Sequence, residues 1–206
     1  MRLSKREFLA MNNPVKRMMQ RCVEFRIFRQ SLKKHNIVLT GKAILDAGCG
    51  SGYGTELLFR TFTPSRLVAF DIMPEQIELA KKRHIAAEIF VGDMTRIDLS
   101  SHSFDAVFVF AVLHHIPEWE KALAELTRML KPGGVLLIED VGRKAADFSE
   151  HFGFCHPKEA RFDLQEFEDE LKRIGFEILE QKKILGISSM KSYLCLKKLM
   201  EDAPKG

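Results

Sequence analysis

The most informative residue spacing lies in a glycine-rich stretch that reads Asp46-Ala47-Gly48-Cys49-Gly50-Ser51-Gly52-Tyr53-Gly54. Its four alternate glycines permit a tight turn and let a ligand approach the backbone closely. The spacing departs from the G-x-G-x-x-G of dinucleotide-binding folds, because the third required position counted from Gly48 is Tyr53. No lysine follows these glycines, as a P-loop requires. This glycine loop (residues 46–54) therefore predicts a ligand site that takes neither a nicotinamide dinucleotide nor a nucleoside triphosphate.

Two acidic residues follow the next two predicted strands. Asp71 lies 25 residues after Asp46, where a carboxylate can accept hydrogen bonds from both hydroxyls of a ribose; the alternative is a helix cap ahead of Pro74. Asp93 can accept a hydrogen bond from the exocyclic amine of adenine, and Met94 offers a polarizable surface to the ring. Core packing is the other interpretation of Met94. Together these residues predict a nucleoside-binding edge.

Histidines supply the candidate proton-transfer groups. His114 and His115 end the predicted central strand, where a general base can act because histidine titrates near neutrality. Two other roles remain open. These histidines can line a substrate pocket, or one of the rings can form a structural hydrogen bond toward the protein interior. Further along, His151, Cys155 and His156 fall within six residues, but a fourth ligand is missing. The sequence thus predicts no metal site there, only part of an irregular lid over the pocket (about 142–161).

The elements that must position these residues alternate between strands and helices. Such alternation favours a doubly wound α/β fold with a mostly parallel sheet, in which ligands bind at the carboxyl ends of the strands. The last two strands are joined by a short connection containing Gly186, so they should pair antiparallel. The predicted strands are 43–47, 67–70, 87–91, 106–113, 135–138, 176–185 and 192–196, and the helices after the first are 55–62, 74–84, 119–130 and 163–174.

Composition and charge exclude several classes of protein. The 206 residues are 46% hydrophobic and 29% charged, the balance of a globular domain, and no apolar run approaches the ~18 residues of a membrane span. With four cysteines and no C-x-x-C pair, the expected location is the cytoplasm. Residues 1–35 hold ten Lys or Arg against two Glu, and apolar residues recur at helical spacing from Pro14 onwards. A basic amphipathic helical cap is predicted at 1–40, with the main domain at 41–206.

Several motifs together resemble one family. The glycine loop, Asp71 and Gly92-Asp93 are followed in family order by Phe104-Asp105, Leu113-His114-His115-Ile116 and Leu130-Lys131-Pro132-Gly133-Gly134. In this order and spacing, over residues 42–140, they resemble the class I S-adenosylmethionine-dependent methyltransferases. The resemblance implies a Rossmann-like sheet of seven strands with an antiparallel C-terminal pair.

The resemblance also implies a role for individual residues. Asp46 and the loop residues would line the methionine end of S-adenosylmethionine, Asp71 would take the ribose, and the end of the central strand would face the transferred methyl group. The implied cofactor residues are Asp46, Gly48, Cys49, Gly50, Gly52, Asp71, Ile72, Met73, Asp93, Met94 and Phe110, with His114 and His115 as catalytic candidates.

The expected activity is therefore methyl transfer from S-adenosylmethionine to a small molecule by direct displacement. The central strand lacks the Asn/Asp-Pro-Pro-aromatic ending of amino-methylating DNA enzymes. Two alternatives remain open. One is an RNA or protein acceptor engaged by the basic helix, through Lys16, Arg17 and Arg21. The other is a non-catalytic cofactor-binding protein that acts through a partner.

Overall fold

A computed structural model of the chain describes residues 12–151 and 156–199. Strands and helices alternate through most of this length. The strands are β1 Ala43–Ala47, β2 Arg66–Asp71, β3 Glu88–Val91, β4 Phe104–Phe110, β5 Leu130–Val141, β6 Phe176–Ile184 and β7 Ile187–Lys197. The helices are α1 Pro14–Met19, α2 Phe25–Lys34, α3 Tyr53–Phe62, α4 Pro74–Lys81, α5 Trp119–Met129, α6 Arg143–Glu150 and α7 Leu164–Arg173.

The seven strands form one sheet in the order β3-β2-β1-β4-β5-β7-β6. The first five strands run parallel, and β7 pairs antiparallel with both β5 and β6. The order reverses between β1 and β4, which is the switch point where ligands bind in open α/β sheets. The predicted doubly wound sheet with an antiparallel C-terminal pair is confirmed.

The central strand β4 is apolar on both faces because helices cover the sheet on both sides. Phe108 belongs to a core cluster on one face with Phe28 and Leu58, whereas Val107 belongs to the cluster on the other face with Leu126 and Phe167. All six side chains are fully buried. The apolar run that predicts a buried strand thus has a packing partner for each alternating residue.

The N-terminal helical segment packs on the sheet through its second half. The π-helical turn Gln20–Glu24 joins α1 to α2, and Phe28 of α2 contacts the rings of Phe108 and Phe110 at centroid distances of 5.8 and 5.3 Å. This apolar contact secures the segment over the switch-point edge. The prediction of a separate cap at 1–40 stays a prediction, and residues 1–11 lie outside the described residues.

Element boundaries near the C-terminus differ from those predicted. Strand β7 begins at Ile187 rather than 192, because Leu185 and Gly186 both have positive φ and form a two-residue hairpin that pairs Ile184 with Ile187. Strand β5 begins at Leu130 rather than 135, and so includes Pro132-Gly133-Gly134. Helix α6 lies in a stretch predicted to be irregular. Only Ala146 of this helix is buried, so its sequence lacks the apolar stripe by which a helix is recognised.

Candidate active site

A cavity of about 310 Å³ lies at the carboxyl ends of β1, β2, β3 and β4. Parallel strands end at the same edge of a sheet, so the motifs that follow them meet there although they are far apart in sequence. Nine of the predicted cofactor residues line the cavity: Gly48, Cys49, Gly50, Asp71, Ile72, Met73, Asp93, Met94 and Phe110.

The glycine loop folds back over the end of β2. The backbone N–H groups of Gly48 and Cys49 both donate to the carbonyl of Phe70, each at 2.9 Å. Gly48 has φ +76°, and a Cβ there would lie 2.7 Å from the side chain of Val112. Gly50 also has positive φ, but a Cβ there would meet nothing within 4 Å. The first glycine therefore allows close packing, and the second leaves open space beside its backbone.

Asp71 is held by two backbone hydrogen bonds. Its Oδ2 accepts from the N–H of Gly50 and its Oδ1 from the N–H of Met73, each at 2.9 Å. Each carboxylate oxygen has a second lone pair, so both can still accept from a ribose. Burial raises the pKa of Asp71, and the two N–H donors oppose that rise. Asp71 is not the N-cap residue of α4, which is Met73, although its carboxylate accepts the N–H of that residue at the start of the helix.

Asp93 and Met94 form the part of the cavity wall that follows β3. Asp93 Oδ1 accepts from the N–H and the hydroxyl of Thr95, each at 2.8 Å, which fixes the carboxylate at the cavity edge. Met94 is 4% exposed and belongs to the main core cluster while also lining the cavity. The core-packing interpretation of Met94 is thus confirmed, and its contact with an adenine ring stays a prediction.

Asp46 and Gly52 do not line the cavity. Asp46 is fully buried behind the loop, where its Oδ2 accepts from the Thr55 hydroxyl at 2.6 Å. Desolvation raises the pKa of Asp46 to about 7; the Thr55 bond opposes the rise and the charge of Asp71 adds to it. A Cβ on Gly52 would lie 2.8 Å from that of Ala80, so this glycine allows α4 to pack against the loop. Their roles toward a cofactor stay predictions.

Cys49 lines the cavity, but its thiol has little nucleophilic character. Burial raises its pKa well above the usual range, and the carboxylates of Asp46 and Asp71 raise it further. A thiol in this state stays protonated, and only the thiolate is a strong nucleophile. Cys49 therefore supplies surface to the cavity rather than covalent chemistry.

The two predicted catalytic histidines occupy different environments. His114 is buried, and its Nδ1 lies 2.5 Å from Oδ1 of Asp140, which comes from β5. His115 lines the cavity, and desolvation together with the neighbouring rings of His114 and His156 lowers its pKa to about 2. His115 is therefore neutral at physiological pH and a weak general base, since an efficient base has a pKa near the working pH.

The N-terminal segment contributes cavity residues that the sequence does not identify as such. Asn12, Arg17 and Gln20 line the cavity, and Nε of Arg17 is buried with no hydrogen-bond partner among the described residues. Gln20 lies in the π-helical turn, and its Nε2 is 3.1 Å from a Cβ built on Gly54. Arg17 and Gln20 are three residues apart and so share a helix face. That spacing is the only sequence signal for their position.

Comparisons with known proteins agree with this geometry. Residues 45–138 match the family described as a methyltransferase domain. The chain is 30% identical over 146 residues to a fatty-acid O-methyltransferase of Mycolicibacterium smegmatis, covering 70% of this chain and 47% of that one. It is 35% identical over 119 residues to a phthiotriol/phenolphthiotriol dimycocerosates methyltransferase of Mycobacterium leprae, covering 54% and 44%. The chain thus spans less than half the length of these curated relatives.

A solved structure of an S-adenosylmethionine-dependent methyltransferase from Aquifex aeolicus has the same fold. Its TM-score is 0.72 at 18% identity, with 95% of this chain and 100% of that chain covered. The fold is therefore the Rossmann-like fold of methyltransferases. The family match over residues 45–138 and the fold thus agree with the resemblance of the motifs to the class I S-adenosylmethionine-dependent methyltransferases. No helix in residues 12–151 and 156–199 combines the length and apolar character that a membrane crossing needs.

Proposed function

We propose that this chain binds S-adenosylmethionine in the cavity and transfers its methyl group to an oxygen of a small, lipid-like molecule. The observation that carries the proposal is the meeting of the glycine loop, Asp71 and Asp93 on one cavity wall. The proposed acceptor follows from relatives whose names specify a fatty-acid O-methyltransferase and a malonyl-[acyl-carrier protein] O-methyltransferase.

The residues present fit this cofactor. Open space beside the backbone of Gly50 admits the methionine part, and Asp71 presents two oxygens to the ribose hydroxyls. Asp93 lies where it can accept from the adenine amine, and Met73 and Met94 supply apolar surface to the ring. When bound, S-adenosylmethionine supplies a methyl group on a positively charged sulfur, which an acceptor atom displaces directly.

Arg17 is the residue we assign to the carboxylate of the cofactor's methionine part. Its Nε is buried and unpaired among the described residues, and an uncompensated buried charged donor is costly. Gln20, on the same helix face, lies beside the helix that follows the glycine loop. Arg17 therefore faces the end of the cavity where a carboxylate would compensate it.

The histidines stand at the acceptor side, following β4. Asp140 holds Nδ1 of His114, which orients the ring and favours the tautomer with its proton on Nδ1. A base is needed only when the acceptor must lose its proton, as a hydroxyl must and a carboxylate need not. His114 stays the candidate for taking the proton of a hydroxyl acceptor, although of the two histidines only His115 lines the cavity.

Two alternatives make different predictions. The basic residues Arg21, Arg26 and Arg29 are exposed on the N-terminal helical segment, which is the feature that would favour an RNA or acidic protein acceptor. A non-catalytic protein would bind the cofactor without turnover in any extract until its partner is added.

The first test is calorimetric titration of the purified protein with S-adenosylmethionine and with S-adenosylhomocysteine, its demethylated product. We expect micromolar binding of both, followed by transfer of a labelled methyl group to fatty acids or other lipid-like oxygen acceptors. Absence of binding by either compound would overturn the cofactor assignment. Labelling of RNA or protein instead of lipid would overturn only the acceptor.

A further inference from the structure

Three histidines from two separate parts of the chain meet beside the cavity. His114 and His115 lie in the 3₁₀ turn after β4, and His156 follows α6. The ring centroids of His114 and His115 are 4.1 Å apart, and each lies 4.9 Å from that of His156. One ring nitrogen from each lies within 4.8 Å of the others. The three-histidine cluster is therefore compact enough for its nitrogens to converge on one point.

The cluster differs from three imidazoles packed only for their apolar area. Nδ1 of His115 is buried with no hydrogen-bond partner among the described residues, whereas buried polar atoms usually have one. A neutral imidazole nitrogen is a good ligand for divalent transition metals. A metal ion among the three rings would give this nitrogen a partner.

The other two histidines are oriented as metal ligands usually are. A ligating histidine commonly uses its second ring nitrogen to bond a carboxylate or another polar group. Nδ1 of His114 is paired with the buried carboxylate of Asp140, and Nδ1 of His156 lies 3.2 Å from the hydroxyl of Ser149. The segment carrying His156 is braced as well, because Arg161 donates to the His156 carbonyl at 2.7 Å.

We propose that His114, His115 and His156 bind a divalent transition-metal ion of the zinc type, with an open coordination position toward the cavity that His115 lines. Three histidine nitrogens with a free fourth position are a donor set typical of catalytic zinc sites. The buried charge of Asp140 partly offsets that of the ion. This proposal uses none of the cofactor residues and stands whether or not the chain transfers methyl groups. If His114 binds the ion through Nε2, that ring cannot also accept the proton of a hydroxyl acceptor, because its Nδ1 is held by Asp140.

The geometry requires a small adjustment on binding. Zinc–nitrogen bonds of about 2.0–2.1 Å place the ligands of a tetrahedral ion about 3.4 Å apart. The described nitrogens lie within 4.8 Å of one another, so the ion has to draw the rings together by about an ångström or more.

The test is titration of tag-free, chelator-treated protein with Zn²⁺ by calorimetry and with Co²⁺ by visible absorption. We expect one ion per chain and the intense Co²⁺ bands of a four- or five-coordinate site. His115→Gln and His156→Gln should each abolish these bands. His151→Gln is the matched control, because His151 is an exposed histidine at the end of α6, the helix that precedes His156. This variant should leave metal binding unchanged.

Asp140→Asn tests the orienting carboxylate and should weaken Zn²⁺ binding by about 10–100-fold. S-adenosylhomocysteine binding is measured on every variant, so that failure of the cofactor assignment is distinguished from failure of the metal site. If the wild-type protein gives only the weak spectrum of hydrated Co²⁺, or if His156→Gln and His151→Gln bind Zn²⁺ equally, the proposal is wrong.

Discussion

The two sides of the cavity are built in different ways. On the cofactor side, short motifs after β1, β2 and β3 are tied together by backbone hydrogen bonds, such as that from Gly50 to Asp71. On the acceptor side, His115 and His156 are side chains brought together from two separate segments. The contrast indicates that the cofactor side is fixed by the ends of neighbouring strands and their backbone N–H donors, whereas the acceptor side depends on how side chains from separate segments pack together. Loops and caps of this kind carry specificity on shared folds.

The largest expected effect concerns the buried carboxyl behind the glycine loop. The pKa of Asp46 is raised from 3.8 to about 7 by burial, so the folded state retains a proton that the unfolded state has lost. Folding stability should therefore fall as pH rises from about 4 to 7, at up to about 1.4 kcal/mol per pH unit and about 4 kcal/mol in all. Urea unfolding across this range measures it.

Asp46→Asn isolates this contribution because asparagine does not titrate. The free energy of unfolding of the wild type minus that of Asp46→Asn should decrease between pH about 4 and 7 and level off above pH about 7. Other carboxyls affect both proteins equally and cancel in the difference. Asp98→Asn, at an exposed position, is the control for simple loss of charge. Parallel pH profiles for wild type and Asp46→Asn would show that Asp46 is ionised in the fold.

The second effect concerns the residue that links the glycine loop to the nucleoside site. Asp71→Ala should weaken S-adenosylhomocysteine binding by roughly 1–3 kcal/mol, because the ribose hydroxyls lose a buried acceptor. The N–H groups of Gly50 and Met73 lose theirs too, so unfolding is measured alongside calorimetry. Asp98→Ala serves as the control. Unchanged affinity in a folded Asp71→Ala variant would mean that the ribose lies elsewhere.

The same contrast explains what could be predicted from the sequence. The glycine loop, Asp71 and Asp93 are recognisable because each directly follows a strand whose apolar pattern is strong, and the sheet order then brings them together. The position of His156 against His114 could not be predicted, because it depends on how the chain after β5 packs back. The sequence also could not show that Arg17 lines the cavity and that Arg21 does not. The two arginines lie in the same basic pattern, and only their burial in the structure distinguishes them.

The smallest expected effect tests whether the N-terminal segment belongs to the cofactor side or to the acceptor side. Arg17→Gln should weaken S-adenosylhomocysteine binding by about tenfold, or about 1.4 kcal/mol, through loss of a charge-assisted hydrogen bond to the carboxylate. Binding of 5′-methylthioadenosine, which lacks the amino-acid part, should not change. Calorimetry with the two ligands on the same variant separates a contact with the carboxylate from general disruption of the pocket.

Arg21→Gln is the matched control, because Arg21 lies one turn further along the same helical segment but is exposed. It should affect neither ligand, nor methyl transfer to a small molecule. An equal loss of affinity for both ligands in Arg17→Gln would mean that the arginine supports the pocket without contacting the carboxylate. If Arg17→Gln leaves S-adenosylhomocysteine binding intact but raises the KM for the acceptor, Arg17 belongs to the acceptor side. In that case the cofactor side of the cavity would end at the glycine loop, and the N-terminal segment would contact the acceptor and contribute to substrate specificity.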